Sequence, residues 1–168
     1  MQDDIINRVA NSKLTTINLE DYYPEGKRVV LDIKDWLFEG FVLREKEFRD
    51  RTNTYNWSQF NGTYVALTCS SDAIIPAWAF ILLSIHLEPF TKKTVIGNLE
   101  LLETSIYQDV LNTIDFSEFK NKPIIIKGCS KKAVPQNAYI MLANKLKPLV
   151  KSIMYGEACS SVPLFKTK

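Results

Sequence analysis

This chain matches itself. Sliding it by 59 residues (Asp50 onto Asp109) lays "FRDRTNTYNWSQFNGTYVALTCSSDAIIPAWAFILLSIHLEPFTKKTVIG" over "YQDVLNTIDFSEFKNKPIIIKGCSKKAVPQNAYIMLANKLKPLVKSIMYG". One extra residue before the second Cys, and one fewer after it, complete the alignment. Asn53/Asn112, Phe60/Phe119, Cys69/Cys129, Pro76/Pro135, Pro89/Pro148 and Gly97/Gly156 are among the identical pairs. About 15 identities in about 50 positions exceed what shared helix and strand periodicity produces. The expectation is an internal duplication, with pseudo-repeats over about residues 42–100 and 101–159.

Each copy reads as helix, strand, Cys-Ser turn, helix, strand. "TYVALT" and "PIIIK" are short β-rich runs suited to strands covered on both faces. "PAWAFILLSIHLEP" and "PQNAYIMLANKLKP" are helices opened by one Pro and stopped by another. "KTVIGNLE" and "SIMYGEAC" supply the following strands, with the Gly97/Gly156 pair marking close backbone approach. "KRVVLDI" adds a strand ahead of the first copy, followed by an insertion, "KDWLFEG", and a helix over 42–55. Alternating strands and helices predict an α/β fold with a mainly parallel, doubly wound sheet of about five strands and an extra N-terminal segment. At 168 residues the expectation is one domain spanning 1–168.

Cys69, Cys129 and Cys159 are the only cysteines, each in a Cys-Ser pair at the end of a strand run. In one parallel sheet the strand carboxyl ends share an edge, which is where α/β sheets bind ligands. If the strands of Cys69 and Cys129 are neighbours, their backbones lie about 4.8 Å apart. Two of the Cys-Ser turns open a helix, whose N–H groups and dipole favour a thiolate. Duplication explains Cys69 and Cys129 but leaves Cys159 without a counterpart.

Three chemistries fit. One is a metal centre: zinc, with Asp72, Glu100 or Glu157 as fourth ligand, or an iron–sulfur cluster on three thiolates. The spacing matches no C-x-x-C ribbon or ferredoxin run. Ser70, Ser71, Ser130, Ser160 and Ser161 would donate hydrogen bonds to the sulfurs or, the simpler reading, cap helices, and Lys131 would balance the thiolate charge. The second is thiol redox chemistry at Cys129, activated by Lys131 and Lys132 in "GCSKK". The third is a set of inert buried thiols in a non-enzymatic protein that binds a partner.

Other classes lose support. A formal net charge of +2 gives no footprint for nucleic acid. "AIIPAWAFILLSIHL" is too short and interrupted to span a bilayer, and no signal peptide is visible at the amino terminus. The expectation is a cytoplasmic protein, where disulfides are rare and three cysteines do not pair completely. No G-x-G-x-x-G or P-loop supports nucleotide binding. His86, the single histidine, falls on a helix face and reads as a surface residue, which leaves no Cys-His or Ser-His pair. "REKEFRDR" reads as a solvated charged face. "DYYP", Trp36, Phe38 and Phe41 read as core or as a homodimer contact.

The segments "DIKDWLFEG" (32–40), "LREKEFR" (43–49), "CSSDAIIPAWA" (69–79), "KGCSKKAVP" (127–135) and "GEACSSVPLFK" (156–166) resemble the family known as domain of unknown function 2480. The resemblance covers nearly the whole chain and implies a Bacteroidetes-type bacterial source. It assigns no activity and no catalytic residue. It implies a setting in iron–sulfur or sulfur metabolism, with cluster-assembly proteins as partners.

Overall fold

A computed structural model of the chain describes residues 14–128, 130–157 and 160–167. In chain order the strands are β1 (Thr15–Ile17), β2 (Arg28–Asp32), β3 (Tyr64–Thr68), β4 (Lys93–Ile96), β5 (Pro123–Ile126), β6 (Ser152–Glu157) and β7 (Ser160–Lys166). The α-helices are α1 (Glu45–Thr54), α2 (Ala77–Leu87), α3 (Leu99–Thr113) and α4 (Gln136–Leu146). Among the described residues no helix is long and apolar enough to cross a membrane.

The chain divides into two compact units. One is continuous, Pro24–Ile106; the other is split, formed by the residues up to Tyr23 and those from Tyr107 onward. The continuous unit holds a three-stranded parallel sheet in the order β2-β3-β4. Its middle strand is buried from Tyr64 to Leu67, as expected of a strand with neighbours on both edges. Val65 and Leu67 pack in one cluster with Phe48 of α1 and with Ala79, Leu83 and Leu87 of α2. Those three α2 residues recur every fourth position and make a single stripe. Trp36 and Trp57 close the cluster, and the Trp57 indole donates to the Thr52 carbonyl at 2.8 Å.

The split unit carries the order β1-β5-β6-β7, in which β1, β5 and β6 are parallel and β7 runs antiparallel to β6. Ile124 and Ile126 of β5 pack with Ala138, Leu142 and Leu146 of α4, the same stripe as on α2. Tyr107 of α3 joins this cluster, and its hydroxyl donates to the Leu19 carbonyl at 2.9 Å. Pro163, whose nitrogen has no hydrogen to donate, sits in β7 at the edge of this sheet, a position that tolerates it.

The α/β class and the parallel pairing follow the sequence reading, but the strands form two sheets, not one. The reason lies in β1. That three-residue strand pairs with β5 from Thr15↔Ile124 to Ile17↔Ile126, and β6 takes the other edge. β3 is likewise enclosed by β2 and β4. Neither middle strand has an edge left for a strand of the other unit. The expected close backbone approach holds at Gly156, whereas the neighbour of Gly97 is a side chain. Gly97 has φ +142° and Gly156 φ +119°, and a Cβ on either would lie 2.7 Å from Leu101 Cδ2 or the Ser160 carbonyl oxygen respectively.

Candidate functional site

Cys69 follows the last residue of β3. Its side chain is half-buried against the core of the continuous unit, and its Sγ lies 3.4 Å from the Ser71 hydroxyl. The turn it opens is tied by a carboxylate from the neighbouring strand. Asp32, the last residue of β2, accepts from the Ser70 amide at 3.1 Å and from the Lys34 amide at 2.9 Å. A hydrogen bond from the Ser70 side chain leads in holding the Asp32 carboxyl below its ordinary value, with the Lys34 and Ser70 amides adding to it.

The split unit repeats the arrangement. Glu20, three residues past β1, accepts from the Lys132 amide at 2.7 Å, from the Lys131 amide, and from the Ser130 hydroxyl at 3.1 Å. The Lys132 amide is the leading cause of a Glu20 carboxyl held below its ordinary value, with Lys131 and Ser130 adding to it. In both units an acid at the end of the first strand, or just past it, fastens the turn that follows the middle strand. Stabilising a carboxylate by several N–H and O–H donors is the expected chemistry of such a turn.

This changes the thiolate argument. The amides of Ser70, Lys131 and Lys132 are engaged by carboxylates, so they are not aimed at a sulfur. Nor does Cys69 open a helix: Ser70–Pro76 stand between it and Ala77, the first residue of α2, and the dipole fades within one turn. In the split unit α4 begins at Gln136, beyond the turn fastened by Glu20.

The remaining candidates are dispersed. Asp72 is exposed and lines a surface cavity of about 380 Å³ with Phe41, Val42, Ala73, Ile74 and Pro76. Glu100 stands in the first turn of α3, not at a strand end. Glu157 closes β6 and pairs with Ser160, both exposed. Ser130 is exposed, as is Lys131, whose amide and not its ammonium makes the bond to Glu20. Cys129 and Cys159 lie outside the described residues. The strands ahead of them, β5 and β6, are direct neighbours, whereas β3 ahead of Cys69 belongs to the other sheet, so one shared sheet edge does not gather all three. Among the described residues there is no group of three or more His, Cys, Asp or Glu placed to hold a metal ion.

His86 is half-buried, with its ring stacked on Trp57 at 5.2 Å and an interplanar angle of 12°. That contact removes it from a freely solvated face and gives it no thiol or hydroxyl partner.

The outward face of α2 was not among the candidates drawn from the sequence, where only the aromatic group with Phe41 reads as core or a homodimer contact. The outward stripe of α2 is Ala77, Ile81 and Ile85, with Ile81 57% and Ile85 64% exposed. Ile74, in the turn ahead of it, is 93% exposed, and Phe41 is 64% exposed. The corresponding stripe of α4 is Gln136, Ile140 and Asn144, all exposed. The two helices share an N-cap Pro, a length of 11 residues and the same buried stripe. Their outward faces differ: one is apolar throughout, and the other breaks a single Ile with two amides. The signal was present in "AWAFILLSIHL", which carries no acidic or basic residue before His86. A helix needs only one apolar face to pack on a sheet, and the surplus goes to solvent or to a partner.

Fold and site define an α/β protein with two mostly parallel sheets and two carboxylate-fastened turns, one after Cys69 and one over Ser130–Lys132. A family model described as "Protein of unknown function (DUF2480)" matches residues 3–167, and the chain belongs to that family. No curated protein and no solved structure matches it.

Proposed function

We propose that this chain is a non-enzymatic docking protein whose contact surface is the outward face of α2 together with Phe41, Val42 and Ile74. The observation that carries this reading is the contrast between α2 and α4. Two helices in equivalent positions bury the same residues, yet only one turns an unbroken apolar stripe to solvent. Burying an exposed Ile is worth about 1.5–3 kcal/mol, so several on one face supply the core of an interface. Photo-cross-linking from a benzoylphenylalanine at position 81, with position 140 as control, tests it. A discrete adduct from 81 and none from 140 is expected; equal labelling from both overturns the reading.

A second reading has an observation of its own. Ile126 of β5 and Tyr155 of β6 are register partners, and Cys129 and Cys159 follow them by three and four positions in the sequence (126 to 129, 155 to 159). The pairing of these two strands supports a zinc ion or an iron–sulfur cluster bound through Cys129 and Cys159, with Glu157 of β6 as a further ligand for zinc. A cluster would fit a role in sulfur metabolism beside cluster-assembly proteins. Anaerobic purification of the full chain followed by metal and sulfide analysis decides it. A stoichiometric metal lost in Cys129→Ala/Cys159→Ala is the supporting result, and metal-free protein refutes it. Both readings suit a reducing cytoplasm. The matching order of the two units, and the acid that fastens each turn, also support their origin by duplication.

A further inference from the structure

We infer that the partner on the α2 face is a second copy of this chain, an inference that rests on the docking reading above. The surface carries both halves of a self-complementary contact. Ile74, 93% exposed, forms one wall of the cavity of about 380 Å³ that Phe41, Val42, Leu43, Asp72, Ala73 and Pro76 also line. About a two-fold axis, the Ile74 of each copy enters the cavity of the other, the reciprocal contact that an isologous interface requires. The stripe of Ala77, Ile81 and Ile85 continues from Pro76, so two α2 helices meet along it.

The area is sufficient. The exposed parts of Phe41, Val42, Ile74, Ile81 and Ile85 sum to roughly 600 Å² of apolar side chain, and a polar rim brings this to the ~800 Å² per partner of a stable interface. Charge favours a like partner over a charged one. α2 has no Asp, Glu, Lys or Arg, so the two helix stripes meet without repulsion and offer no charge to select an acidic or basic surface; Asp72, the one charged residue lining the cavity, is exposed and falls to the polar rim.

Sedimentation equilibrium of the full chain from about 1 to 100 µM tests this. The wild type is expected to be a dimer. Ile81→Glu/Ile85→Glu is expected to raise the dissociation constant at least ~100-fold, and Ile140→Glu on α4 to leave it unchanged. The milder Ala77→Gln/Ile85→Asn, which gives α2 the outer residues of α4, should weaken the dimer with unaltered tryptophan emission and circular dichroism. A dimer that survives both α2 variants, or one lost in Ile140→Glu, overturns the inference. So does a wild type that is monomeric throughout the range, and an apolar dye then separates two cases. Dye binding lost in the double Glu variant leaves the face to a different protein, whereas dye binding unchanged by it removes the docking reading as well.

Discussion

Glu103 is 5% exposed, and its carboxylate meets the Arg28 guanidinium at 2.7 Å (Nε to Oε1) and 3.3 Å (Nη2 to Oε2). Both residues belong to the continuous unit. Removing one member of a buried pair leaves the other charge poorly compensated in a weakly polarisable site, at a typical cost of about 3–5 kcal/mol. For Glu103→Ala the low end applies. Arg28 keeps the Pro24 carbonyl at 2.8 Å and the Gly26 carbonyl at 2.6 Å, and its guanidinium lies 4.8 Å from the Tyr64 ring centroid. The expected loss is about 3 kcal/mol, or a fall of about 1–3 M in the urea midpoint at unchanged slope. Tryptophan emission is the assay of choice, because all three tryptophans, Trp36, Trp57 and Trp78, are in this unit. Arg28→Met/Glu103→Leu should recover most of the loss, since a well-packed apolar pair replaces a buried ionic one at little cost. A Glu103→Ala loss below about 1 kcal/mol, or a double variant no more stable than Glu103→Ala, would refute the reasoning.

Asp32 and Glu20 both have carboxyls held below their ordinary value, so what they contribute is present above the ordinary carboxylate range and is lost as pH falls through the lowered one. Acid titration of stability should therefore be shallower below about pH 4 in Asp32→Asn than in the wild type, and parallel curves would dismiss the fastening role of Asp32. Leu83 is fully buried on the inner stripe of α2 and Ile81 is exposed on the outer one. Leu83→Ala should cost about 3–5 kcal/mol and Ile81→Ala under about 0.5 kcal/mol in urea unfolding, and similar losses would mean the helix is turned differently. Gly156→Ala drives a methyl against the Ser160 backbone oxygen, whereas Gly97→Ala meets the movable end of Leu101. With positive φ at both, circular dichroism melts should show the larger loss, about 3 kcal/mol against about 1–2, for Gly156→Ala; the reverse order would contradict these contacts.

The legible parts of the fold were those with strong local signals. β3 and β5 are unbroken apolar runs, and α2 and α4 are bracketed by prolines, so each could be read from its own residues. β1 could not. "TTI" is three residues with two threonines and no flanking signal, and it becomes a strand only because β5 offers it an edge 109 residues later (15 to 124). Missing it led to one sheet where there are two, and with that sheet went the common edge for Cys69, Cys129 and Cys159. The site suffered for the same reason. Asp32 and Glu20 are ordinary acids in the sequence, and only the pairing of first and middle strands sets them against the Cys-Ser turns. The apolar face of α2 was legible in principle, but a run of Ala, Ile, Leu and Phe reads first as core, and only the folded structure separates Ile81 and Ile85 from Leu83 and Leu87.

In the sequence the continuous unit lies between the two segments of the other, which sets an order of assembly as the chain leaves the ribosome. Every residue of the continuous unit has been made by Ile106, and its longest strand pairing closes only 36 residues (28 to 64). β1 is synthesised first of the strands yet gains its partner only when β5 emerges, so the nascent chain carries it unpaired while the continuous unit folds behind it. A short strand with two threonines is a weak template for wrong pairing during that interval. Closing so long a loop adds only slowly growing entropy, about 1 kcal/mol more than the 36-residue closure. The delay falls on rate, and refolding should show the split unit completing last.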